Sequence, residues 1–314
     1  QNFTVMVDTG MTDSWVIDVI CKKPECRGSA ESGYMKNQFD MALVSSFFHI
    51  KTTKYCHFSL SHTYNRISTD VFNLAGIVGP VNQGFGLAQE VIQTFEQLPV
   101  DGVLGLAWPY LTQMQVGPVL WGMLDQLDAP LFTVWLDRRA KPQEAKLGGL
   151  ITYGALDNEH CEAQVDYVTL SSQGTWQFPM HRFSIESYAL NAKVDVQSDT
   201  ASAWIKAPSS AVSGVVSATS ARYDSFNQLY VVPCNGKFPD MVFTIGGKTY
   251  TIPSTEYVID VSLPGGKCAL AISELVPNGF GPNWIFGDTW FRTYCNVHDI
   301  GNKRIGFAKS RKSE

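Results

Sequence analysis

Hydrophobic and polar positions alternate with a period of two in several short runs, the signature of half-buried strands. Phe3 to Val7 alternates in this way, and so does Phe132 to Leu136. Met241–Ile245 and Lys248–Ile252 flank Gly246 and Gly247, which predicts a hairpin closed by a tight two-residue turn. Helical spacing is rarer. One helix is expected from about Pro118, with Val119, Leu120, Met123, Leu124 and Leu127 on a single face and the proline suited to a first turn. Another should begin near Pro208, Ser209 and Ser210 and bury Ala211, Val212, Val215 and Val216. The expected fold class is therefore all-β, mostly antiparallel, with short helices.

A chain of 314 residues is long enough for two domains, each with its own core. No low-complexity segment or flexible linker interrupts it. The glycines from Gly148 to Gly154 and the polar stretch Asp157 to Glu162 lie near the middle, so the boundary is expected near residue 160, giving lobes 1–160 and 161–314. A composition of 45% hydrophobic, 17% charged and 12% aromatic residues is that of a soluble globular protein. The net charge of -5, with no basic run, argues against a nucleic-acid partner. No stretch approaches the roughly 20 apolar residues that span a bilayer, and the first residues carry no cleavable-leader pattern.

Seven cysteines are dispersed along the chain with no Cys-x-x-Cys pair, which disfavours a metal site and favours disulfides. Disulfides point to an oxidising compartment, and the expected location is secreted, with a lysosomal alternative. The odd count leaves at least one cysteine unpaired or bonded to another molecule.

The chemistry lies in a duplication. Val7-Asp8-Thr9-Gly10-Met11-Thr12 and Ser198-Asp199-Thr200-Ala201-Ser202-Ala203 each set an Asp beside a Thr and a small residue, and each is echoed later, by Val103-Leu104-Gly105 and Ile285-Phe286-Gly287. Two half-sites with one carboxylate each suggest two similar lobes whose carboxylates meet at the seam. Taken singly, Asp8 would read as a turn residue at a strand end. Two carboxylates about 3 Å apart cannot both ionise cheaply, so such a pair shares one proton and titrates as a unit.

Other chemistries find little support. The six histidines form no short ligand spacing, Gly84-Phe85-Gly86 is too short for a dinucleotide loop, and no Gly-x-Ser-x-Gly elbow occurs. No metal and no cofactor are expected. Trp108, Trp121, Trp135 and Trp284 lie in apolar blocks and read as core. Asn2-Phe3-Thr4 fits a glycosylation acceptor, but its place in the strand feeding Asp8 gives it a structural reading.

Several blocks in one order carry a resemblance. Gln1–Gly10 through Val16, Asp101–Pro109, Asp199–Ser210, Phe238–Ile245, Trp284–Asp288 and Asp299–Ala308 together resemble the pepsin-like aspartic peptidases over almost the whole chain. Ile151–Leu156 and Tyr294–Ile300 look most like the nematode members. The resemblance implies a bilobal β fold with a cleft for an extended peptide or protein, acting as a monomer. It implies a further segment ahead of the Phe3 strand. It makes Asp8 and Asp199 the catalytic pair, with Thr9, Gly10, Thr200, Ala201 and Ser202 supporting them. A water held between the carboxylates would attack the peptide carbonyl directly, with no acyl-enzyme. It also implies the bridges Cys21–Cys26 and Cys234–Cys268, with Cys161–Cys295 added as a guess and Cys56 left over.

Three departures from the family pattern bear on activity. Met11 stands where the family has a Ser or Thr whose hydroxyl supports the dyad. Ala201 replaces the second glycine, and Ala203 also lacks a hydroxyl. The stretch Phe58–Ile67, equivalent to the flap that closes over substrate, is shortened and has no Gly; His62, Thr63 and Tyr64 stand near the usual flap Tyr, while its partner Trp15 is present. Two outcomes stay open: an active endopeptidase, or a non-catalytic relative that binds peptides or proteins.

Overall fold

The computed structural model describes residues 1–29, 33–43, 48–58, 61–137, 147–276, 279 and 281–311, with the backbone alone described over 48–58 and 61–65. The chain divides into two compact units, Gln1–Gln126 and Leu127–Glu314. Sheets dominate both, and the helices are short.

The first unit is built on a six-stranded sheet in the order Val5–Asp8, Gly102–Gly105, Trp15–Ile17, Gln83–Ala88, Ser61–Asp70, Phe48–Phe58. Three of its strands, Val5–Asp8, Gly102–Gly105 and Trp15–Ile17, are only three or four residues long, and packing on two apolar clusters stabilises them. Trp15, Ile17, Val103, Phe95 and Met114 form one, with the half-buried Met6 and Met11 against it. Val16, Phe39, Phe85 and Leu87 form the other, which Phe3 and Val5 cover. The first strand begins at Val5, so Asn2, Phe3 and Thr4 precede it.

The second unit carries a seven-stranded sheet in the order Lys248–Ile252, Met241–Ile245, Gln177–Ile185, Tyr188–Ser198, Trp284–Phe286, Ile205–Ala207, Ile272–Glu274, together with five- and four-stranded sheets. The predicted hairpin is present: Ile245 pairs with Lys248, and Gly246 and Gly247 both have positive φ, as a type I′ turn requires. Its core is aromatic, with Phe183, Phe243, Trp284, Phe286 and Trp290 in mutual contact and Phe286 stacked on Trp290 at 4.4 Å.

Two features differ from the sequence expectations. The units divide at Gln126 rather than near 160, because Leu131–Leu136 pairs with both Gly149–Tyr153 and the distant Tyr294–Asp299. The expected helix after Pro118 is a 3-10 helix, Val119–Gln126, that buries Val119, Leu120 and Met123. The second helix is α, Ser209–Thr219, with Ala211, Val212 and Val215 buried, and it stops where Ser220 turns left-handed.

Three disulfides close: Cys21–Cys26, Cys161–Cys295 and Cys234–Cys268. The Cys56 side chain lies outside the described residues. Among the described residues, no helix is long and apolar enough to cross a membrane.

Candidate active site

Each of the two Asp motifs is built the same way within its own unit. In the first, Val5–Asp8 runs parallel to Gly102–Gly105 with Asp8 opposite Gly105, and Asp8 is the last residue of its strand. The chain then turns back on itself. Gly10 N donates to Asp8 Oδ1 at 2.8 Å, Leu106 N donates to the Asp8 carbonyl at 2.8 Å, and Ala107 N donates to the Met11 carbonyl at 2.9 Å. In the second, Tyr188–Ser198 runs parallel to Trp284–Phe286 with Ser198 opposite Phe286, and Asp199 follows. Ala201 N donates to Asp199 Oδ1 at 2.9 Å, and Asp199 N donates to the Phe286 carbonyl at 3.0 Å.

The echoes that follow each motif now have a physical reason. A Cβ at Gly105 would lie 2.5 Å from the Thr12 carbonyl oxygen, and one at Gly287 would lie 1.8 Å from that of Ser202. Only glycine lets the Asp loop pass this close to the neighbouring strand. The loops are pinned further by hydroxyls: Thr12 donates to the Trp108 carbonyl at 2.8 Å, Ser14 Oγ accepts from Gly105 N at 3.0 Å, and Ser202 donates to the Trp204 carbonyl at 3.2 Å.

The supporting residues fall into place by motif. Thr9 is fully buried, and Thr200 is half-buried. Ala201 is exposed and keeps the amide bond to the carboxylate. Met11 offers no hydroxyl and packs against the cluster around Trp15. In the candidate flap, Phe48–Phe58 pairs with Ser61–Asp70, placing His62 opposite His57, Thr63 opposite Cys56 and Tyr64 opposite Tyr55. The side chains of His62, Thr63 and Tyr64 lie outside the described residues. Trp15 is buried against Phe95, and its indole Nε1 finds no acceptor among the described residues.

Several charges around the motifs are invisible in short-range sequence patterns. Burial raises the pKa of Asp199; the Ala201 amide, the Lys206 ammonium and the Gln197 carboxamide, 3.4 Å from Oδ2, act the other way. Asp288, which opens the short helix after Gly287, is pushed up to about 6 by burial and by the nearby Asp199, with Arg292 opposing. Arg292 is itself buried and paired with Glu256 at 3.9 Å. In the first unit, burial raises the pKa of Asp13 although Thr112 Oγ1 and Gln113 N donate to its carboxylate. The signal available for Asp288 is its place beside the Gly287 echo.

Beneath the second motif lies a buried polar group. Ser198 Oγ donates to Asn296 Oδ1 at 3.2 Å and sits 3.4 Å from His298 Nε2. His298 is fully buried, stacked on Phe132 at 4.4 Å and edge-on to Trp176 at 4.7 Å, and this apolar cage lowers its pKa to about 3. A cavity of about 300 Å³ in the second unit is lined by Trp204, Tyr223, Tyr230, Ile272 and Glu274 among others. The ligand atoms of Cys234, Asp260 and Cys268 lie within 4.8 Å of one another, but both thiols are joined in the disulfide.

Comparison with known proteins agrees with this construction. The family profile "Eukaryotic aspartyl protease" matches residues 1–310. "Aspartic protease 1" of Caenorhabditis elegans is 45% identical over 98% of this chain and 78% of its own length. "Aspartic protease 17" of the same organism is 40% identical over 100% of this chain and 81% of its own length. Pepsin A of Suncus murinus is 29% identical over 98% of this chain and 77% of its own length. With parallel strands, amide-bound carboxylates and glycine echoes repeated in both units, and with matches of this extent, the chain belongs to the eukaryotic aspartyl protease family.

Proposed function

We propose that the protein is an acid-acting aspartic endopeptidase in which Asp8 and Asp199 share one proton and activate one water. The ionised carboxylate takes a proton from the water while the protonated one donates to the scissile carbonyl, and the water attacks without a covalent intermediate. The observation that carries this reading is the matched amide bond at each motif, Gly10 N to Asp8 Oδ1 at 2.8 Å and Ala201 N to Asp199 Oδ1 at 2.9 Å. Such a bond fixes the carboxyl in place and favours its ionised form. Thr9 and Thr200 act beneath the loops as supports. Ala201, for all its added methyl, keeps the amide that the glycine would have supplied.

The substrate is an extended peptide or protein, with apolar side chains favoured beside the cleaved bond. Three disulfides suit an oxidising setting, secreted or lysosomal. A monomer suffices, because both Asp motifs lie in one chain, and the net charge of -5 offers nothing to nucleic acid.

Met11 supports a second reading. The first carboxylate has no hydroxyl from that position, so the family's fold would be kept for binding peptide without turnover. Processed protein incubated with denatured casein at about pH 4, with and without pepstatin, separates the two. Pepstatin-sensitive fragments support the enzyme. Retention on immobilised pepstatin with no fragments supports the binding protein.

A further inference from the structure

Asn2-Phe3-Thr4 is the only Asn-x-Ser/Thr triplet in the 314 residues. A role in the strand leading to Asp8 would explain it structurally, but that strand runs from Val5 to Asp8 and does not include Asn2. The side chains alternate instead. Asn2 and Thr4 are exposed, while Phe3 between them is half-buried in the cluster of Val16, Phe39 and Phe85, its ring stacked on Phe39 at 6.2 Å.

The main chain around the triplet is held. Thr4 N donates to Asp101 Oδ2 at 2.7 Å, Asp101 N donates to the Thr4 carbonyl at 2.6 Å, and the Gln1 carboxamide exchanges hydrogen bonds of 2.8 and 3.0 Å with the backbone of Asp40. The segment anchored through Phe3 therefore keeps both Asn2 and Thr4 exposed, with the Thr4 hydroxyl held by the Tyr34 side chain two residues from the Asn2 carboxamide, the pairing that N-glycosylation requires.

We propose that Asn2 is an N-glycosylation site. The donor is a lipid-pyrophosphate-linked oligosaccharide. A bond forms between Asn2 Nδ2 and C1 of its first N-acetylglucosamine, the bond from C1 to the pyrophosphate oxygen breaks, Nδ2 loses one proton, and the lipid pyrophosphate leaves with the electron pair. The fold accommodates the product, because a sugar on the outward face displaces none of the Phe3 contacts. Six residue steps separate Asn2 from Asp8, a reach of up to about 20 Å at strand spacing, so the glycan stands away from the carboxylate.

The site depends on passage through a secretory compartment and not on peptidase activity, so it is tested without an activity assay. The chain is expressed behind a cleavable leader in a eukaryotic host and treated with peptide-N-glycosidase F in 18O-labelled water. The expected result is a faster-migrating band and an Asn2 peptide converted to Asp bearing 18O. Thr4→Ala should abolish both signals, and Thr4→Ser should keep them at reduced occupancy. Wild-type protein that enters the pathway, as shown by its disulfides or its release, with an unmodified Asn2 peptide and no change of mobility, overturns the proposal.

Discussion

Gly105 and Gly287 are confined to glycine by their neighbours, and the two differ in degree. A methyl at Gly287 would meet the Ser202 carbonyl oxygen at 1.8 Å, a backbone atom that cannot swing aside. Gly287→Ala should therefore push the second Asp loop off its strand and destabilise the protein by about 3 kcal/mol, at the severe end for single substitutions. Gly117, where a methyl would meet nothing within 4 Å, is the control. Gly117→Ala should stay within about 0.5 kcal/mol in the same urea titration. The repeated Val-Leu-Gly and Ile-Phe-Gly echoes were legible in the sequence as a pattern. Their reason was not, because it lies in a contact between residues far apart in the chain.

At the scale of elements, two groups around the second motif make opposite pH dependences. His298 lies on the strand Tyr294–Asp299, caged by Phe132, Trp176 and Phe291, with its ordinary value of 6.5 lowered to about 3. Below pH 6.5 the unfolded chain takes up a proton that the folded protein refuses until about pH 3, so this group removes stability as pH falls through that window. At pH 4 wild type should have lost about 3 kcal/mol more, relative to pH 7, than His298→Phe. Urea unfolding of both proteins at the two pH values measures the difference.

Asp288, at the start of the helix Asp288–Phe291, works the other way. Its folded value of about 6 exceeds the ordinary 3.8, so its contribution is fully present below pH 3.8 and is lost as pH rises through 6. Asp288→Asn should flatten that part of the stability profile and raise stability at neutral pH by up to about 3 kcal/mol, with little change at pH 3. Thermal unfolding across the pH range checks the sign. Neither effect can be read from the sequence, where His298 sits in an ordinary alternating run and Asp288 in an ordinary helix start. Burial decides both, and burial comes from distant partners.

Across the whole molecule, local signals carried the fold class, the hairpin at Gly246 and Gly247 and the helix after Pro208. Long-range pairing carried the rest. The division between the units follows the pairing of Leu131–Leu136 with Tyr294–Asp299, a join that no composition shift announces. The helix after Pro118 kept its buried face but tightened to 3-10 geometry. The two Asp motifs were the most legible feature, because duplication repeats residues and backbone bonds together. The charge cluster of Lys206, Asp288, Arg292 and Glu256 was the least legible, since nothing in its spacing sets it apart.

The claim that rests on both motifs is peptide hydrolysis by paired carboxylates. The most direct measurement is the initial rate of cleavage of an internally quenched peptide with apolar residues around the scissile bond, by processed wild type, Asp8→Asn and Asp199→Asn at about pH 4. Wild type is expected to cleave, and each variant to lose at least about a thousandfold in kcat while remaining folded by circular dichroism. No cleavage by folded wild type, or equal rates in wild type and either variant, would contradict the claim.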